Sequence, residues 1–219
     1  MTTLSLDNSL TTVIIIFRVE SQQQQELIQA IKEFLETVKI QPGFVSAGVH
    51  QSTDGVKVAN YAQWSDMDSF TTFRNNESVQ EKAAKLFEFA ICEAVSFRTP
   101  DSHVYEIVAS ESKVGTPEIK SGGYLTHFAE FKMPAENQPR MVELAKEHVK
   151  PAMEQPGLIS ATFHRSLDGT RVINYGQWEN QEAIENLAKQ PGFSKEKPYW
   201  DGIAENEYHL YEVVHTVNA

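Results

Sequence analysis

The 219-residue chain has a single cysteine, so no disulfide framework can hold it together, and it carries neither a CxxC pair nor an HExxH motif. Cys92 is expected to be a small core residue. Positive charge is also scarce. Nineteen Lys and Arg stand against 30 Asp and Glu, a formal net charge of −11 spread along the sequence rather than gathered in a tail. Binding to phosphate needs a basic face, which excludes nucleic acid and anionic membrane as expected partners. Long apolar runs are missing too. The longest early run, residues 13–17, falls far short of the ~20 residues of a membrane span, and it has no basic flank or cleavage site of a signal peptide. The expected place is the cytoplasm. What remains is an ordinary globular composition, 41% apolar and 22% charged.

The chain does contain a long internal repeat. Residues 41–64, QPGFVSAGVHQSTDGVKVANYAQW, return 114 positions later as QPGLISATFHRSLDGTRVINYGQW, with fourteen of 24 positions identical. A period this long points to a duplicated domain rather than a solenoid turn. Two units are expected, residues 1–112 and 120–219, each of a size that can bury its own core. The glycine- and proline-bearing stretch 110–123 between them reads as the linker.

Each copy follows the same pattern. In copy one a β-branched strand at 11–19 precedes Ser21 and Gln24, which are spaced as a capping box. Leu27, Ile31, Phe34, Leu35 and Val38 then recur at helical spacing up to the Pro42-Gly43 stop. Strands at 44–52 and 56–64 flank Asp54-Gly55, a strong hairpin signal. A helical region capped near Ser65 and Asp68 continues as 81–94, and a last strand occupies 103–108. Copy two repeats the order with strands near 124–133 and 209–214, helices at 140–153 and from about 180, and a hairpin at Asp168-Gly169. The β-α-β-β-α-β order is that of a ferredoxin-like α+β unit. The offset falls from 114 to 106 by the last strand, so copy two is eight residues shorter in its second helical region.

Alternation assigns the hairpin to two faces. Opposed positions sum to 109, pairing Val49 with Asn60, Ala47 with Ala62 and Val45 with Trp64. That face is apolar apart from asparagine, and it should lie under the helices. Its copy-two counterpart carries Ile159, Ala161, Phe163, Val172, Asn174, Gly176 and Trp178. A carboxamide buried there must find partners or cost about 1–3 kcal/mol. Between Asn60 and Trp64 stands only Ala62, and between Asn174 and Trp178 only Gly176, which leaves room either for helix side chains or for a flat ligand. The other face, with Phe44, Ser46, Gly48, His50, Ala59, Tyr61 and Gln63, suits packing against the sheet of the other copy. His50 and His164 lie on it near Tyr61 and Tyr175, placed for a structural hydrogen bond between copies.

The PGF-S pattern, the following hairpin and NYxxW on the third strand of such a unit resemble the antibiotic biosynthesis monooxygenase family of the dimeric α+β barrel superfamily, and the resemblance covers both copies. It implies two ferredoxin-like units packed sheet to sheet, here as an intrachain pseudo-dimer, and it leaves a homo-oligomer of such chains open. It further implies a cofactor-independent monooxygenase that uses no metal, flavin or haem, with an aromatic small molecule and dioxygen as partners. The site residues carried over are Asn60, Trp64, Asn174 and Trp178, with Val49, Ala62, Phe163 and Gly176 beside the substrate. Asparagine would hold an enolate oxygen and tryptophan would form the wall of the pocket. Relatives also place a tyrosine and an arginine on the second helix. Phe70 and Ile184 occupy the matching position, leaving Arg74 and Tyr199 as the nearby candidates. His127 lies in the first strand of copy two, and neither second helix has a histidine, which argues against haem degradation. His148, answered by Phe34 in copy one, reads as helix surface or core, and His103 and His209 as strand-edge residues. The other reading from these residues is a non-catalytic small-molecule binding or stress-response module.

Overall fold

The computed structural model describes residues 1–89, 101–187, 189 and 198–219. Cys92 and the end of the copy-one helix expected at Ala94 lie outside the described residues. In chain order the elements are β1 (Thr2–Thr3), β2 (Thr11–Arg18), α1 (Gln24–Val38), β3 (Phe44–Ser52), β4 (Lys57–Trp64), α2 (Met67–Arg74), α3 (Glu77–Phe87), β5 (Asp101–Ser112), β6 (Glu118–Ile119), β7 (Leu125–Lys132), α4 (Gln138–Ala152), β8 (Leu158–Ser166), β9 (Arg171–Trp178), α5 (Gln181–Leu187) and β10 (Glu205–Asn218). No helix among the described residues is long and apolar enough to cross a membrane.

Eight strands close into one antiparallel barrel, in the order β10-β3-β4-β2-β5-β8-β9-β7. A four-stranded sheet from either copy alone would expose two unpaired edges. Closure is carried by the long last strand of each copy: β5 pairs with β2 of its own copy and β8 of the other, and β10 pairs with β7 and β3. Bulges at Ile107/Ala109 and Val213/His215 bend these strands where they pass from one sheet to the other. The arrangement is the α+β barrel of two ferredoxin-like units within one chain.

Apolar alternation sets three cores. Ala47, Val49, Val58, Ala62 and Trp64 pack under α1, their copy-two equivalents pack under α4, and a third cluster fills the barrel interior. In that interior His50 Nε2 meets Tyr175 Oη at 3.0 Å and Tyr61 Oη meets His164 Nε2 at 3.0 Å, so each copy supplies one end of each cross-copy bond. Burial pushes both histidines down to about 4. A buried Lys57 Nζ pairs with Glu130 Oε1 at 2.6 Å beside them. Gln63 and Gln177 have a different task from the one expected at the copy contact: their amides donate to Thr3 O and Glu118 O, holding the β1–β6 ribbon against the sheets.

Five local expectations are corrected. The capping box does not form, because Ser21–Gln23 make a 3-10 turn and Gln24 donates to Ser52 O and Lys57 O, both at 3.0 Å. Gln138 holds the second hairpin in the same way, through Ser166 O and Arg171 O at 2.9 Å. Asp66, rather than Ser65, caps α2, and Asn76 opens a separate α3 at Glu77. Bulges at Val45 and Ile159 place Phe44 and Leu158 opposite the tryptophans, so Phe44 joins the helix-side core with its ring 5.5 Å from Trp64. The stretch expected as a linker contains the end of β5 and all of β6, which pairs with β1. His103 and His209 are not edge residues in a closed barrel: His209 reaches Asp54 in the copy-one hairpin at 2.6 Å, and His103 reaches Asp168 in the copy-two hairpin at 2.5 Å.

Candidate active site

A cavity of about 580 Å³ lies in copy two between the sheet and α4, within the range that holds small organic ligands. Strand alternation builds its floor. His127, Ala129 and Phe131 point from β7 to the helix side, while Phe128 and Glu130 between them point into the barrel. Neighbouring strands add Leu158, Ala161 and Phe163 from β8 and Asn174 and Trp178 from β9. His148 and Ala152 of α4 form the roof, Ile184 and Leu187 of α5 one side, and Tyr199 and Trp200 another. Phe131, Tyr199 and Trp200 meet with ring centroids 4.8–6.3 Å apart, giving the cavity an aromatic wall.

Polar groups are few in this cavity and well defined. Trp178 Nε1 donates to His127 Nδ1 at 2.6 Å. An indole nitrogen can only donate, so His127 Nδ1 must be the unprotonated nitrogen and Nε2 carries the proton. Burial pushes His127 down to about 4, consistent with an imidazole held neutral. His148 is arranged in the opposite sense. Its Nδ1 lies 2.8 Å from Leu144 O, and a carbonyl can only accept, so Nδ1 carries a proton and in the neutral ring the lone pair is on Nε2. The ring of His148 is stacked on Tyr199 at 4.4 Å and 14°. Asn174 Oδ1 is buried and has no hydrogen-bond partner among the described residues. At the mouth, burial raises the Glu207 carboxyl, but His209, Lys57 and Arg18 outweigh it and hold the group at about 2.

Gly176 is explained by its register partner. It faces His127, and a Cβ there would stand 2.3 Å from the imidazole Cε1. The space beside it is therefore taken by the histidine ring. In copy one the same register pair is Val13 with Ala62.

The copies thus differ where they were expected to be equivalent. Asn60 and Trp64 occupy the positions of Asn174 and Trp178, and Asn60 Oδ1 is likewise buried without a partner among the described residues. Around Trp64, however, the larger Phe70 and Phe73 stand at 5.8 and 4.6 Å where copy two has Ile184 and Leu187, and Phe34 replaces His148. Val49 is fully buried in that core, whereas its counterpart Phe163 lines the cavity. Arg74 lies exposed at the end of α2 with its guanidinium over the Phe70 ring, away from the cavity, while Tyr199 lines it.

The motif identities between copies select Asn174 and Trp178 but pass over His127, His148, Phe131 and Trp200. His127 and His148 are positions where the copies disagree in chemical type, Val13 and Phe34 being their equivalents; for His148 that difference points to helix surface or core, and the structure instead puts it in the cavity lining.

The chain is thus a closed α+β barrel with an aromatic-lined cavity under one helix. The profile of the antibiotic biosynthesis monooxygenase family matches residues 11–85 and 125–196. Tetracenomycin-F1 monooxygenase of Streptomyces glaucescens is 34% identical over 101 residues, covering 46% of this chain and 85% of that protein. The chain belongs to the antibiotic biosynthesis monooxygenase family. Among solved structures, an anthrone oxidase-like protein superposes with a TM-score of 0.83 at 20% identity, covering 100% of this chain and 97% of that one. A candidate monooxygenase from Fusobacterium nucleatum superposes with a TM-score of 0.64 at 10% identity, covering 97% and 95%. At these identities the two structures share the fold.

Proposed function

We propose that the chain is a cofactor-independent monooxygenase that oxidises a phenolic or quinonoid polycyclic aromatic with dioxygen, and that it does so in the copy-two cavity. The observation that carries the reading is the Trp178–His127 hydrogen bond, which aligns a neutral imidazole beside Asn174 at the polar end of an aromatic-walled cavity. His127 Nε2–H and the Asn174 amide are the donors for an enolate oxygen. The wall of Phe131, Trp178 and Trp200 suits a flat ring system. The name of the Streptomyces relative, a monooxygenase of tetracenomycin F1, supports a fused-ring substrate.

The reaction balances without a further reductant. A ring CH₂ loses one proton, and the electron pair left on carbon forms a bond to dioxygen. The peroxide anion is protonated, and loss of the second C–H proton with cleavage of the O–O bond releases water and leaves a ketone.

Oxygen uptake with 1,8-dihydroxyanthrone tests the reading. One O₂ should be consumed per substrate, with about a 10²-fold loss in Asn174→Ala and little change in Asn60→Ala. Binding of the anthrone without oxygen consumption would instead establish the binding-module reading. Haem or flavin bands in the spectrum of the active protein would contradict cofactor independence.

A further inference from the structure

Resting on that reading, we infer that His148 is the general base of the reaction, and that the working site of the chain is single because copy one has no equivalent of this residue. Three observations lead there. His148 lines the cavity from α4, opposite the β7–β9 floor that carries His127 and Asn174, so a flat ring between roof and floor meets both. Its tautomer is fixed by the Leu144 carbonyl, which accepts a hydrogen bond from Nδ1–H, so that in the neutral ring the lone pair stands on Nε2. His127 cannot serve in its place, since the Trp178 indole occupies the one nitrogen of His127 that can accept.

The two histidines therefore divide the proton chemistry, one donating and one accepting, which is the separation that an acid–base site requires. Stacking on Tyr199 holds the His148 ring in orientation, and its position at the half-buried roof leaves it able to exchange protons with solvent. The other titratable groups lining the cavity are His127, Tyr199, Glu207, Tyr208 and His209. Glu207 is held ionised by Lys57, Arg18 and His209, and burial pushes the Tyr199 phenol up, so neither is suited to take a proton near neutrality.

In the reaction the ring C–H bond breaks, its proton goes to His148 Nε2 and its electron pair stays on the ring as the enolate held by His127 and Asn174. Carbon then bonds to dioxygen. The imidazolium returns its proton to the peroxide anion, and Nε2 accepts the second C–H proton as the O–O bond breaks and hydroxide leaves, so that water forms and His148 is restored.

Copy one has Phe34 at this position and Val13 at that of His127, so it keeps the Asn60 amide but has neither the base nor the histidine donor. Because Phe34 is tolerated at the same place in the same fold, His148→Phe is the variant of choice, with His148→Ala as its companion. The full-length protein is mixed anaerobically with 1,8-dihydroxyanthrone at a pH where the free probe is un-ionised, and the absorption spectrum is recorded before oxygen is admitted. Wild type should show the red-shifted band of the bound enolate. His148→Phe should bind the probe within about threefold of wild type, without that band, and its oxygen uptake should fall 10²- to 10⁴-fold. Added imidazole should restore part of the uptake in His148→Ala, an effect a merely structural role would not give. An enolate band and undiminished uptake in His148→Phe would overturn the assignment while leaving the monooxygenase reading intact. A wild-type protein that binds the probe without ionising it or consuming oxygen would overturn both.

Discussion

Replacing Gly176 by alanine is the sharpest structural test of the candidate site. The new Cβ would lie 2.3 Å from His127 Cε1 and 2.6 Å from Nδ1, distances at which the ring must move. Crowding of this kind costs about 1–3 kcal/mol. Displacing the ring also breaks the 2.6 Å bond from Trp178 Nε1 and leaves a buried indole N–H without its acceptor, a further ~1–3 kcal/mol. Gly176→Ala should therefore destabilise the fold by about 2–6 kcal/mol. His127→Val removes the obstacle, and combining the two recreates the Val13–Ala62 pair that copy one holds at the same register. The double variant should be less destabilised than the sum of the single ones by about 2 kcal/mol, a coupling typical of side chains in contact. Equilibrium urea unfolding followed by far-ultraviolet circular dichroism measures all four corners of the cycle. A Gly176→Ala protein within about 0.5 kcal/mol of wild type, or strict additivity, would refute the packing argument.

Four further outcomes are expected. His50, His127 and His164 are buried, with burial lowering each from 6.5 to about 4, so the unfolded chain takes up protons first as pH falls. Their stabilising effect is complete above pH 6.5 and is lost between 6.5 and 4, at up to ~4 kcal/mol per pH unit if all three titrate together; a urea midpoint unchanged from pH 7 to 5 would contradict this. His103 works in the other direction: burial lowers it, the Asp101 and Asp168 carboxylates outweigh burial and raise it, and its contribution is complete below 6.5 and fades as pH rises through its folded value. Lys57→Met should cost about 3–5 kcal/mol by leaving Glu130 buried and unpaired, and Lys57→Met with Glu130→Ile, the residue copy one has at that position, should recover most of it in the same unfolding assay. By contrast, Asp54→Asn should shift stability by no more than about 1 kcal/mol, because the Asp54 side chain is 48% exposed and its pairing with His209 is shared with solvent; thermal unfolding would resolve a larger loss.

Much of the fold was legible because it depends on local signals that tertiary contacts reinforce. The β-branched run of β2, the helical spacing of α1 and the Asp-Gly turns each name an element on their own, and the repeat shows that the elements are used twice. Period-two alternation assigned Tyr61 and His50 to the barrel interior correctly. It failed at Phe44, since a bulge adds one residue to a strand without leaving a mark in the apolar pattern. Gln24 looked like part of a cap because the spacing fits one, yet the hairpin carbonyls of Ser52 and Lys57, far along the chain, compete for its amide and take it.

The candidate site was legible in part. Asn174 and Trp178 stand out as repeated motif residues, and Phe163 follows from the face that they share. His148 reads as helix surface or core because copy one has Phe34 there, and His127 as a first-strand residue, whereas the cavity arises from where the copies differ.

By itself the sequence determined the duplication, the order of elements and the two faces of each hairpin, because backbone preference and hydrophobic period act over a few residues. Only the tertiary structure decided which gaps stay open. Gly176 makes room for an imidazole rather than for a ligand because a strand 49 residues away places His127 against it. The cavity beneath His148 stays open because Ile184 and Leu187 are smaller than the Phe70 and Phe73 that crowd Trp64 in copy one. Which volumes are filled depends on side chains brought together from distant strands and helices, and that information is absent from any local stretch of chain.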